Sequence, residues 1–148
     1  MQLNLTGQTV VVFGAARGIG RAIAEEFIHE GCQVHGFDRD DQPPLAPGSR
    51  LVAGDVVASA EVRAFAEGIG DVDHVVFSVG AGSGKFGFPF WNLEPADWRR
   101  ALDINLLGAV TSKIAAPIAT VSSQDTHSTT TPDHTEGDLE GDLPFWAW

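Results

Sequence analysis

Thr9-Val10-Val11-Val12-Phe13-Gly14-Ala15-Ala16-Arg17-Gly18-Ile19-Gly20-Arg21-Ala22-Ile23-Ala24-Glu25-Glu26-Phe27-Ile28 is the stretch that decides the fold. Its first five residues form an unbroken β-branched and aromatic run, which predicts a strand buried on both faces. A glycine-rich turn follows and leads into a helical pattern. Ile19, Ile23 and Phe27, with Ala24 beside them, fall on one helical face. Gly31 is placed to close that helix as its C′ residue. Gln33 to Asp38 reads as the next strand, so the whole is one βαβ unit.

Working outward, a Pro-rich loop (Pro43, Pro44, Pro47) precedes a third strand, Arg50 to Asp55. Ser59 is the expected cap of a helix running to Glu67. His74 to Val79 reads as the fourth strand, ending in Gly80-Ala81-Gly82-Ser83-Gly84. Glu94-Pro95-Ala96-Asp97-Trp98 opens a further helix, with Pro95 suited to its first turn and Ala116 near its end. Strands alternating with helices predict α/β, a three-layer, doubly wound parallel sheet of four to five strands in the order 3-2-1-4. The fifth strand would be Ile118-Ala119-Thr120-Val121-Ser122.

The glycine turn carries the chemistry. A pyrophosphate needs backbone N–H groups, a helix N-terminus and no obstructing side chain. Gly14 permits the tight turn, Gly18 lets the phosphate near the backbone, and Gly20 lets the helix pack on the strand. Asp38, at the end of the second strand, is placed to accept both hydroxyls of an adenosine ribose and to repel a 2′-phosphate. The lesser alternative is a turn-former before Arg39-Asp40-Asp41. Arg17 and Arg39 leave NADP open, because either guanidinium suits a 2′-phosphate. The balance points to NAD, with NADP second.

The spacing Gly-x-x-x-Gly-x-Gly resembles that of the short-chain dehydrogenase/reductase family. The likeness continues at Gly54-Asp55-Val56, where the family's Asp contacts the adenine. It continues again at Asp73-His74-Val75-Val76-Phe77-Ser78-Val79-Gly80, where only the last Gly of the family's Asn-Asn-Ala-Gly is kept. Trp98…Leu102-Asp103-Ile104-Asn105-Leu106-Leu107-Gly108 is similar to the active-site helix. What the resemblance implies is a cofactor site of Gly14, Arg17, Gly18, Ile19, Gly20, Asp38, Arg39, Asp55, Val56, Val79 and Gly80. It also implies a catalytic role for Asn105, which falls on the Asn that helps hold a water in the family's proton relay. The family transfers hydride between a nicotinamide and an alcohol or ketone carbon, with a tyrosine as acid/base and a lysine in Tyr-x-x-x-Lys.

That motif is missing. The chain has no tyrosine, and its last lysine is Lys113. Members are considerably longer, so the resemblance covers only an N-terminal half, and the sequence reads as truncated and catalytically impaired. Ala119-Thr120-Val121-Ser122-Ser123 resembles the fifth strand, which puts Ser123 at the catalytic serine, although closer behind Asn105 than the family leaves it. A serine without a base beside it is not an activated nucleophile. Asp125, His127, Asp133 and His134 match no ligand spacing, so no metal is expected.

Charge divides the chain. Of its 148 residues, 1–118 carry 14 acids and 9 Lys/Arg, whereas 119–148 carry 6 acids and no Lys or Arg. The expected organisation is a dinucleotide-binding domain, 1–118, and an acidic Ser/Thr-rich tail, 119–148, ending in Phe145-Trp146-Ala147-Trp148. That aromatic end either covers apolar surface of this chain or a partner, or is no natural continuation at all. A net charge of −11 speaks against nucleic acid or an anionic membrane surface as partner. The lone Cys32 excludes an intrachain disulfide and suits the cytoplasm, and no secretory signal or membrane span is read. A second copy of the chain is the expected protein partner. Leu106, Leu107, Val110 and Ile114 form a helical stripe that fits such a contact or packing on the chain's own sheet. Two functions stand side by side: an enzyme acting on a small alcohol or ketone, and a non-catalytic dinucleotide-binding or interaction protein.

Overall fold

A computed structural model describes residues 3–40, 43, 45–47, 49–85 and 90–115. Ser123, the expected fifth strand and the aromatic tail lie outside these residues. Four strands, β1 (Thr9–Phe13), β2 (Gln33–Asp38), β3 (Arg50–Ala53) and β4 (His74–Phe77), form one sheet in the order β3-β2-β1-β4. All three pairings are parallel, with Val11 opposite His35 and Val75, and Phe37 opposite Val52. At the base of the sheet Asp73 sets the β1–β4 register from both sides. Its amide donates to the Thr9 carbonyl at 2.9 Å and its carboxylate accepts from the Thr9 amide at 2.8 Å.

Helix α1 (Gly18–His29) packs on β1 and β2 from one face, while α2 (Ser59–Glu67) and α4 (Gly108–Ala115) lie together on the other. Successive residues of β1 therefore enter different cores, as the period of a strand requires. Val10 and Val12 join Ala24, Val34 and Leu45 under α1. Val11 and Phe13 join Phe37, Val62 and Phe65 under α2. The Phe13 ring meets Phe37 and Phe65 edge-on, with centroids 5.6 and 5.9 Å away. Burying each such ring stabilises the fold by about 1.5–3 kcal/mol. The run Val10–Phe13 is apolar throughout because both its faces are covered, and it is central because β2 and β4 pair with its two edges.

Before α4 come a 3₁₀ turn (Phe90–Asn92), helix α3 (Pro95–Leu102) and a π-helical turn (Asp103–Leu107). Pro95 occupies the first turn of α3, and Glu94 and Asp97 form a reciprocal capping box around it. Gly31, at φ +86°, ends α1 with its amide on the Ile28 carbonyl.

Four expectations are corrected. Ala58, not Ser59, stands at the cap of α2; Ser59 is already helical, and no side chain caps that end. Strands β3 and β4 stop at Ala53 and Phe77, two residues early, because the chain turns off the sheet into a crevice there. Ile19 is 76% exposed, since Gly20 and Ala24 are the residues that α1 buries. Finally, packing on the chain's own sheet, one of the two placements open to the helical stripe, is incomplete: Leu106, Leu107 and Val110 are 48–56% exposed, while α4 buries Ser112.

Candidate cofactor site

All four strands end at one crevice, at the point where the chain order reverses between β1 and β4. Just past the strand ends, the Gly14 amide donates to the Phe37 carbonyl and the Ser78 amide to the Phe13 carbonyl, both at 2.8 Å. The cleft above them has a volume of about 430 Å³. Its lining includes all eleven residues expected at a cofactor: Gly14, Arg17, Gly18, Ile19, Gly20, Asp38, Arg39, Asp55, Val56, Val79 and Gly80.

The glycine turn is tight for two measurable reasons. Gly14 has φ +87°, and a Cβ there would lie 2.7 Å from the Ser78 carbonyl oxygen. A Cβ on Gly20 would lie 2.0 Å from the Gly14 carbonyl oxygen, so only glycine lets α1 begin so close to β1. Above Gly18 there is open space. Arg17 stands at the cap position of α1 in extended conformation with no side-chain bond to the helix. The first-turn amides of α1 thus face the cleft without a side-chain cap, which is what a pyrophosphate requires. The donor set fits a dinucleotide.

Asp38 anchors this end. One carboxylate oxygen accepts from the Ala16 amide at 2.9 Å and the other from the Asp40 amide at 3.0 Å, leaving lone pairs on both for a ribose. Asp55 accepts from the Val57 amide at 3.1 Å, while its own amide donates to the Glu61 carboxylate at 2.9 Å. Val56 is buried beneath the cleft, with Ile104 packed against the same core.

The far end is built by contact across the chain. Asn105, in the π-helical turn, accepts from the Ala81 amide through Oδ1 and donates to the Ala81 carbonyl through Nδ2, both at 2.8 Å. The carboxamide is a latch on the loop after β4, and a Cβ on Gly80 would come no nearer than 3.9 Å to its Oδ1. A second tie holds that loop to α3. Lys85 Nζ bonds Asp97 Oδ2 at 2.7 Å, and this bond, with the one from the Glu94 amide, holds the Asp97 carboxyl below its ordinary value.

Sequence reasoning missed Asp40, Gly54, Ser78, Ala81, Arg100 and Ile104, which also line the cleft. Arg100 and Ile104 had one usable signal, since they stand one helical turn apart in the helix that carries Asn105. Asp40 had none beyond its place in an acidic turn. No helix among the described residues is long and apolar enough to cross a membrane.

The fold and the position of this cleft define a Rossmann-type α/β protein. The chain belongs to the short-chain dehydrogenase family: the family model for short chain dehydrogenase matches residues 8–120. It is 34% identical to an L-fucose dehydrogenase of Oryctolagus cuniculus, in a match covering 95% of this chain and 52% of that protein. It is 32% identical to a galactitol 2-dehydrogenase of Rhizobium johnstonii, over 72% of this chain and 46% of that one. Among solved structures, the ligand-free aldohexose dehydrogenase of Thermoplasma acidophilum superposes with a TM-score of 0.63 at 30% identity, covering 76% of this chain and 44% of that one. The chain spans about half the length of the curated relatives it matches.

Proposed function

We propose that residues 1–118 form an NAD-preferring cofactor domain of a dehydrogenase acting on a secondary alcohol or ketone of the sugar or polyol class. The observation that carries this reading is the juxtaposition of an uncapped helix N-terminus at Gly18 with the Asp38 carboxylate at the end of β2, in one cleft. Relatives named for L-fucose, galactitol and an aldohexose support the substrate class. A bound nicotinamide supplies the carbon that takes up or gives back hydride.

This chain's own residues do the holding. The first-turn amides of α1 bind pyrophosphate, Asp38 takes the adenosine ribose, Asp55 and Val56 form the adenine wall, and Val79 and Gly80 lead towards the reacting end. Asn105 keeps the loop after β4 in place, and Ser123 is the candidate for a substrate hydroxyl. A proton must also leave the alcohol, and the 148 residues contain no tyrosine to accept it. The chain by itself therefore binds cofactor without turning substrate over. Residues 119–148 follow as an acidic tail. The exposed stripe of Leu102, Leu106, Leu107 and Val110 supports pairing with a second copy, and Cys32 as a buried free thiol suits a reducing cytoplasm.

Titration calorimetry with NAD⁺ and NADP⁺ tests the binding step, and an assay for NADH across sugars and polyols tests the chemistry. The expected result is NAD⁺ binding, weaker NADP⁺ binding and no turnover. Absence of both ligands from the titration would overturn the cofactor reading, and steady NADH formation would overturn the impaired one. Asp38→Ala is expected to weaken NAD⁺ at least about tenfold; unchanged affinity would remove Asp38 from the ribose.

A further inference from the structure

We infer that Asp40 is a cofactor-specificity residue: it draws Arg17 and Arg39 onto its own carboxylate and so withholds both cations from a 2′-phosphate. The inference rests on the NAD-binding reading above and deepens it. The two arginines flank the ribose position, Arg17 from the glycine turn and Arg39 from the residue after Asp38, and a guanidinium is the group that suits a phosphate there. Neither is free. Arg17 Nη2 lies 3.2 Å from one Asp40 oxygen, and Arg39 Nε lies 3.8 Å from the other. The acid is the more enclosed member of each pair, with its side chain 32% exposed against 78% for Arg17 and 59% for Arg39.

Asp40 is held in place independently of the arginines, because its amide donates to Asp38 Oδ1 at 3.0 Å. Asp38 is held in turn by the Ala16 amide. The carboxylate assigned to the ribose thus fixes the acid that occupies the arginines. Two carboxylates and two guanidiniums leave this corner of the cleft close to neutral. A 2′-phosphate would have to displace Asp40 from both cations and then sit beside two carboxylates. Ion pairs this exposed contribute little to the fold, so Asp40 acts on ligand choice also through its own charge beside the 2′ position, and hardly on stability.

The test is calorimetric and independent of turnover. Asp40→Asn keeps the shape and the backbone bond to Asp38, and Asp40→Ser is a second, smaller replacement. NAD⁺, NADP⁺ and the probe adenosine 2′-monophosphate are titrated into the unsubstituted chain and both variants. Each variant is expected to bind NADP⁺ and the 2′-monophosphate about tenfold tighter, with NAD⁺ changed much less. Adding Arg17→Ala to Asp40→Asn should cancel the gain, and raising ionic strength should shrink it. NAD⁺ binding combined with unchanged NADP⁺ affinity in both variants overturns this inference alone. Binding of neither dinucleotide by the unsubstituted chain overturns the cofactor reading and this inference with it. A gain that survives Arg17→Ala and Arg39→Ala together overturns the assignment of the two arginines.

Discussion

The two ends of the cleft are made in different ways. The end at Gly14, Gly20 and Asp38 comes from one continuous βαβ unit, and its geometry is fixed by backbone packing too close for any Cβ. The end at Gly80, Ala81 and Asn105 joins segments that meet only after α3 and the π-helical turn have folded, and side-chain bonds hold it. The first leaves no room for a side chain at Gly14 or Gly20, while the second rests on individual side-chain bonds.

Substituting the glycines gives the largest expected contrast. Gly20→Ala puts a methyl group 2.0 Å from a backbone oxygen, whereas Gly80→Ala meets nothing nearer than 3.9 Å. The first is expected to destabilise the fold by about 3 kcal/mol or to prevent folding; the second should stay within about 0.5 kcal/mol. Urea unfolding compares them, and equal losses would erase the distinction.

Asn105→Ala probes the far end next. Losing two hydrogen bonds to Ala81 should cost about 1.5 kcal/mol. Amide exchange at Ala81 should accelerate while protection of the Ala16 amide, held by Asp38, stays unchanged. Loss of protection at both would show that the two ends are one cooperative unit.

Acid should then separate the regions by pH window. His35, in β2, has its pKa lowered from 6.5, first by burial and then by the Arg50 charge, and its Nδ1 is buried without a partner. A depressed pKa means the unfolded chain takes up the proton first, so stability is full above pH 6.5 and falls as the pH drops below it. His35→Leu should flatten that limb of a thermal-melt series. The smallest effect belongs to the far end. Asp97 is depressed from 3.8, chiefly by its bond to Lys85, so its contribution is present above 3.8 and disappears only at lower pH. Lys85→Met should move the acid limb below pH 4 and leave the His35 limb where it was; a shift of both would sink the separation.

The same contrast explains what was legible beforehand. The strands, the helices and the glycine turn follow from patterns a few residues long, since the run Thr9–Phe13 and the spacing of Gly14, Gly18 and Gly20 are local features; the strand order followed from the fold those alternating elements imply. Arg100, Ala81 and Asp40 were missed because their presence at the cleft depends on segments distant in the chain or on a side chain's chosen partner. Ile19 was misplaced for a related reason. It obeys the helical period, but the first turn of α1 overhangs the cleft, where there is no sheet to cover it.

By itself the sequence determined that a doubly wound sheet would form and that its first crossover would carry a dinucleotide-type turn, because hydrophobic period and glycine stereochemistry are read locally. It also determined that no tyrosine is available within these 148 residues. Only the tertiary structure decided which cations are already spoken for. Arg17 and Arg39 looked equally able to take a 2′-phosphate until folding brought both against Asp40. Arg39 is the chain neighbour of Asp40, but Arg17 comes from a different segment, and its few-ångström distance to Asp40 exists only once the chain has closed on itself.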